Sequence, residues 1–208
     1  MADARFWDRI AAKYAARPVA NQRAYDETLD HLCGLLRPED RVLELGCGTG
    51  STALTLAPHV WQYTASDISP AMLAIARDRL AALPDPPRNL SFVQAEPGDR
   101  ALGDVPYDAV LAFSLLHLVP DLPGTLAAIH GHLRPGGLFL SKTTCLGPRG
   151  WLFRPLVGAM RAIGKAPYVS FLTADGLARA IAEAGFGVED VRTFHKAPNV
   201  PFIAARRK

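Results

Sequence analysis

The stretch Val42-Leu43-Glu44-Leu45-Gly46-Cys47-Gly48-Thr49-Gly50 constrains the fold more than any other part of the chain. An apolar strand pattern runs into three alternating glycines, and residues 49–57 then carry a helical pattern. Glycines at a strand-to-helix turn permit backbone conformations closed to other residues, and they let a ligand approach without a Cβ in the way. The helix that follows offers amide donors and a partial positive charge to a carboxylate or phosphate. Spacing narrows the ligand further. A dinucleotide fingerprint needs Gly-x-Gly-x-x-Gly, but the residue three beyond Gly48 is Ser51, so the third glycine comes one place early. No Gly-Lys-Ser/Thr follows, so the phosphate-loop pattern fails too. Glu44, two residues before the first glycine, would repel a pyrophosphate and suits an ammonium or a sulfonium. The competing reading is a tight turn that binds nothing.

The rest of the chain alternates in a way that fits this turn. Strand patterns at 41–46, 61–67, 90–95, 107–113 and 138–143 are interleaved with helix patterns at 49–57, 70–82 and 122–133. Pro135-Gly136-Gly137 closes the last of these helices. Repeated β-α units of this length imply a mostly parallel sheet covered on both faces. Upstream, Phe6, Trp7, Ile10 and Tyr14 recur at helical spacing until Pro18. A second helix starts at the N-cap Asn21 and runs to about residue 36, with Tyr25, Leu29, Leu32 and Cys33 on its buried face. Downstream, a helix over 174–184 is broken by Gly185 and Gly187. Two strands follow, near 188–193 and 201–205, and their short connection predicts an antiparallel hairpin at the sheet edge. The expected organisation is one α/β domain over 1–208, with 1–37 as a helical lid and 146–171 as an inserted cover.

Composition contributes exclusions. The 208 residues are 49% hydrophobic and 21% charged, which is a globular balance rather than a disordered one. A net charge of +3 is too weak to argue for nucleic-acid binding. Cys33, Cys47 and Cys145 stand far apart and odd in number, which argues against a disulfide framework and for a reducing, cytoplasmic setting. The opening residues lack the apolar stretch of a signal peptide, and the best apolar run, 110–119, is too short to cross a bilayer. His130, His132 and His195 have no metal-ligand spacing, so no metal is expected. Within the insertion, a helix from about Arg154 gathers Phe153, Leu156, Val157, Met160 and Ile163 on one side. Arg154, Arg161 and Lys165 line its flank, with Trp151 close by. Such a helix can cap a greasy pocket, lie on an anionic membrane surface, or pack as an ordinary helix with a solvated basic face.

Taken together, these motifs resemble the class I S-adenosylmethionine-dependent methyltransferase family, firmly over residues 40–145 and in outline elsewhere. Tyr107-Asp108-Ala109-Val110 and Leu133-Arg134-Pro135-Gly136-Gly137 look like that family's fourth-strand motif and the turn before its fifth strand. The resemblance implies an α/β, Rossmann-like, seven-stranded and mostly parallel sheet of order 3-2-1-4-5-7-6, with strand 7 antiparallel and helices on both faces. It implies S-adenosyl-L-methionine as cofactor, held at Gly46, Cys47, Gly48 and Gly50, with Glu44 beside them. Asp67, ending the second strand, takes the place of the acid that holds both ribose hydroxyls. Ile68 and Met72 fall where apolar side chains sandwich the adenine, and Glu96 falls where an acid reads its amino group. Phe113 and Ser114, after the fourth strand, would line the same pocket. The opening helix resembles that of the ubiquinone/menaquinone-type subgroup, in which a tyrosine closes over the methionine end of the cofactor. Tyr14 would take that role; otherwise it is simply a packed helix aromatic.

The chemistry follows from that cofactor. A sulfonium methyl is already activated, so the protein must align a nucleophile with it and exclude water. Where the acceptor must lose a proton, His117 is the candidate base, against the reading that it packs on the cofactor rim. The expected partner is a small, lipophilic organic acceptor, with no nucleic acid. A nicotinamide oxidoreductase shares the layout but lacks its glycine spacing and any Tyr-x-x-x-Lys pair. A non-catalytic module that binds the cofactor without turnover is the remaining alternative.

Overall fold

The computed structural model describes residues 4–147 and 154–208. Two helices, α1 (Ala4–Ala15) and α2 (Gln22–Leu35), precede the sheet. The alternating core follows: β1 (Arg41–Leu45), α3 (Ser51–Leu56), β2 (Gln62–Asp67), α4 (Pro70–Ala81), β3 (Leu90–Gln94), β4 (Tyr107–Phe113), α5 (Leu122–His132) and β5 (Leu133–Lys142). Helices α6 (Arg154–Ala162) and α7 (Ala174–Glu183) lead into β6 (Phe186–Arg192) and β7 (Phe202–Arg207). The strands form one sheet of order β3-β2-β1-β4-β5-β7-β6. Pairing is parallel from β3 to β5, and β7 runs antiparallel to both β5 and β6. This is the order that the family resemblance implied, with the edge hairpin read from the short connection.

Alternate residues of each central strand feed two cores. Val42, Leu111 and Leu140 face α2 and α3, where Leu32, Leu56 and Tyr63 join them. Leu43, Val110 and Phe139 face the other way, onto Leu126, Ile129, Leu177 and Ile181. Each fully buried Leu or Ile contributes about 1.5–3 kcal/mol of transfer free energy, so burial on both faces holds the β4 and β5 edges rigidly. The carboxyl ends of these strands carry the site.

Several sequence readings shift. Cys33 is exposed, because α2 turns Leu32 rather than its neighbour onto the core. Gly50 is the N-cap of α3, so that helix starts at Ser51 instead of Thr49. The Pro135-Gly136-Gly137 turn does not separate helix from strand. Strand β5 begins at Leu133, and the register jumps from Tyr107↔Leu133 to Ala109↔Leu138, leaving 134–137 as a bulge inside the strand. Gly187 lies within β6, and only Gly185, at φ +94, breaks the chain after α7. Among the described residues no helix is long and apolar enough to cross a membrane. Trp151 and Phe153, expected beside α6, lie outside the described residues.

Candidate active site

The glycine turn works because three alternate residues take left-handed backbone: Gly46 at φ +71, Gly48 at +53 and Gly50 at +78. Their neighbours explain which side chains could replace them. A Cβ on Gly50 would stand 3.0 Å from Ala76 and 3.1 Å from Phe92, so α4 and β3 close on the turn from behind. A Cβ on Gly48 would meet only Tyr14, at 3.9 Å. A Cβ on Gly46 would stand 3.0 Å from Leu115, so the turn is packed at Gly46 and Gly50 and open only at Gly48.

Asp67 closes the turn from β2. Its Oδ2 accepts from the Gly48 amide at 2.8 Å, and its Oδ1 from the Ser69 amide at 2.9 Å. A carboxylate offers about four lone-pair sites, so Asp67 keeps room for a further O–H donor beside its backbone amides. Burial pushes its pKa up, and the amide hydrogen bonds oppose that. Glu44 is more deeply buried, and Tyr63 donates to its Oε2 at 3.0 Å. Desolvation drives the Glu44 carboxyl to about 7, with the Tyr63 bond pulling down and the Asp67 charge pushing up. A carboxyl poised there gains most from an approaching cation.

Helix α1 sits over this edge. Asp8 Oδ1 accepts from Ser69 Oγ at 2.6 Å and from the Ala71 amide at 3.2 Å, so a residue of α1 helps cap α4. Arg79 returns the contact, donating to the Ala15 carbonyl at 3.0 Å and to Thr49 Oγ1 at 2.8 Å. Trp7 and Tyr14 meet edge to face with centroids 6.4 Å apart. At the far end, Arg9 donates to the Gly164 carbonyl just beyond α6, so α1 is tied to the segment after that helix.

These walls enclose a cavity of about 890 Å³, at the upper end of the range for small-molecule sites. Tyr14, Glu44, Gly46, Cys47, Gly48, Asp67, Ile68, Met72, Glu96, Phe113 and Ser114 all line it. Gly50 stands behind the turn as the α3 cap. His117 does not line it. Its ring is largely buried, Nδ1 has no partner among the described residues, and burial lowers its pKa. The Ser170 amide donates to its carbonyl at 2.6 Å, so it pins the segment after α6 against the loop after β4.

Two features were not read from the sequence. Ser114 holds φ +53, a left-handed conformation uncommon for serine, and its amide donates to the Lys142 carbonyl at 2.7 Å. Strain of this kind collects at ligand sites. Lys142 itself lines the cavity from the end of β5. The sequence put Ser114 in the pocket but not its backbone conformation, and nothing local marks Lys142; both features depend on β4 lying beside β5.

Residues 43–139 match a family described as a methyltransferase domain. That match takes in the glycine turn, Asp67 and the ends of β3 and β4. S-adenosylmethionine-dependent methyltransferases are among the solved structures that share this fold. A malonyl-[acyl-carrier protein] O-methyltransferase from Serratia marcescens is 31% identical over 141 residues, which cover 68% of this chain and 52% of that protein. A highly reducing polyketide synthase, valA, from Aspergillus terreus is 28% identical over 140 residues, 55% of this chain and 6% of that far longer protein. The chain thus spans about half of one curated relative and a small part of the other. The magnesium protoporphyrin IX methyltransferase of Synechocystis PCC 6803, solved with bound SAH, shares the fold with a TM-score of 0.70 at 16% identity, over 98% of this chain and 94% of that one.

Proposed function

We propose that this chain transfers the methyl group of S-adenosylmethionine to a small, largely apolar organic acceptor. The observation that carries the reading is Asp67, held at the end of β2 by the Gly48 and Ser69 amides, beside a glycine turn that is open at Gly48. That cradle fits a nucleoside ribose with an amino-acid tail. When bound, the cofactor supplies an activated sulfonium methyl.

The chain's own residues bind, orient and exclude water. Asp67 accepts the ribose hydroxyls, and Ile68 and Met72 flank the base, with Glu96 at its edge. Glu44 supplies negative charge to the cationic end, while Tyr14 and Trp7 shield it from α1. Phe113 and Ser114 face the acceptor side, where holding two reactants in line provides most of the catalysis. His117 acts as a base in this reading only if its loop turns the ring into the cavity. The acceptor is acyl-like: of the two relatives, one methylates malonyl-[acyl-carrier protein] on oxygen and the other is a polyketide synthase by name. Residues 1–37 serve as the lid and 146–171 as the acceptor-side cover of a single domain, placed in the cytoplasm. The exposed Leu156, Met160 and Ile163 let that cover touch an anionic membrane surface.

Calorimetry with S-adenosylhomocysteine tests the binding half, and consumption of the methyl donor across acyl acids tests turnover. Binding without any turnover would favour the non-catalytic module, and no binding would end the reading.

A further inference from the structure

The cavity has two electrically distinct ends. Glu44 and Asp67 stand at the edges of β1 and β2, and Lys142 stands two strands away from β1, at the end of β5. In register, Lys142 lies between Phe113 of β4 and Phe202 of β7. Its ammonium donates to Thr28 Oγ1 at 2.6 Å and to the Ala24 carbonyl at 3.2 Å, both on α2, and sits 5.8 Å from the Phe194 ring centroid. An ammonium has three donors and no acceptor, so one N–H remains.

No ion pair is made by Lys142 among the described residues. Glu27 attracts it from a distance, but that carboxylate is engaged by Arg23 at 3.2 Å and by the His195 amide at 3.0 Å. Burial outweighs Glu27 and lowers the Lys142 pKa. Leu29, Leu32, Phe113, Ala197 and Val200 line the same cavity, along with the neutral polar Thr28 and Thr144. A half-buried cation among apolar groups is costly unless a counterion arrives, and here the protein provides none at contact.

We propose that Lys142 anchors a carboxylate on an otherwise apolar acceptor, so that the acceptor's acid binds at the β5 end of the cavity and its body lies against Phe113. The proposal rests on the methyltransferase reading, which fills the opposite end with cofactor. A purely structural alternative is that Lys142 staples β5 to α2. That role would alter stability without making the cavity choose acids over alcohols.

The experiment measures octanoate and octan-1-ol binding to the protein saturated with S-adenosylhomocysteine. Wild type is expected to favour the acid by about tenfold, the scale of one charged hydrogen bond. Lys142→Met should reduce that preference to within about twofold and leave S-adenosylhomocysteine affinity unchanged, while Lys142→Arg retains most of it. Equal binding of acid and alcohol by wild type, no octanoate binding, or a preference that survives Lys142→Met overturns the anchor. The wild-type comparison decides even if the variant misfolds. Failure of S-adenosylhomocysteine to bind wild type would overturn the methyltransferase reading and the anchor together, whereas the other failures leave that reading standing.

Discussion

The two ends of the cavity are built differently. At the cofactor end, the decisive bonds join residues close in sequence: Asp67 to Ser69, Asp67 to Gly48, and Tyr63 to Glu44, at separations of 2, 19 and 19 residues. At the acceptor end, Lys142 reaches Thr28 across 114 residues and Ala24 across 118. The first end lies within consecutive β-α units of the sheet. The second joins the end of β5 to a helix that precedes the sheet. Invariant chemistry can sit on the rigid end, while the acceptor is chosen where few bonds cross.

The largest effects should come from breaking the rigid end. Gly50→Val combines left-handed strain with contacts near 3 Å to Ala76 and Phe92, and is expected to cost about 2–5 kcal/mol in chemical denaturation. Gly136→Val, with a similar φ of +73 but open space, should cost only about 1–2 kcal/mol. Equal losses would show that the packing behind the turn does not matter.

Asp67→Ala removes a carboxylate that the ribose would share with two amides, and should weaken S-adenosylhomocysteine binding by about 1–3 kcal/mol in calorimetry. Unchanged affinity would remove Asp67 from the cofactor site.

Glu44 links the same end to pH. Its folded pKa of about 7 lies above the ordinary 4.5, so between those values the folded state binds the extra proton. The resulting stability is fully present below 4.5 and is lost as pH rises through 7, at up to about 1.4 kcal/mol per pH unit. Tyr63→Phe deletes a hydrogen bond to the carboxylate, so the loss should move to higher pH. Because a cationic ligand favours ionised Glu44, S-adenosylmethionine binding near pH 6.5 (about half a unit below that pKa) should release protons, visible as buffer-dependent binding heats. Buffer-independent heats would mean that Glu44 does not sense the ligand.

Smaller effects belong to α1 and α6. Asp8→Ala unties α1 from α4 and should cost about 0.5–2 kcal/mol, the scale of a lost cap. Hydrogen exchange should show residues 5–17 protected by cofactor in wild type and less so in the variant; identical protection with and without ligand would end the lid role. Weakest of all is the expected attachment of α6 to anionic vesicles at low salt, which Ile163→Glu should abolish. A wild-type protein that stays in the supernatant leaves α6 only as a cavity cover.

The sequence by itself determined the alternating strands and helices and the edge hairpin, because periodicity and glycine breaks are local patterns with few structural solutions. The sheet order came from the family resemblance, and the structure bears it out. The helix expected from about Arg154 is also present, as Arg154–Ala162. Only the tertiary structure decided the acceptor end. His117 follows β4 in sequence, yet its position is set by the segment near Ser170, and it does not line the cavity. Conversely, Lys142 looks like an ordinary lysine at the end of a strand. It becomes a half-buried cation in the cavity because α2, more than a hundred residues earlier, supplies Thr28 and Ala24 as its partners. Whether a charged side chain is solvated or waits for a counterion depends on what surrounds it, and no local sequence pattern encodes those surroundings.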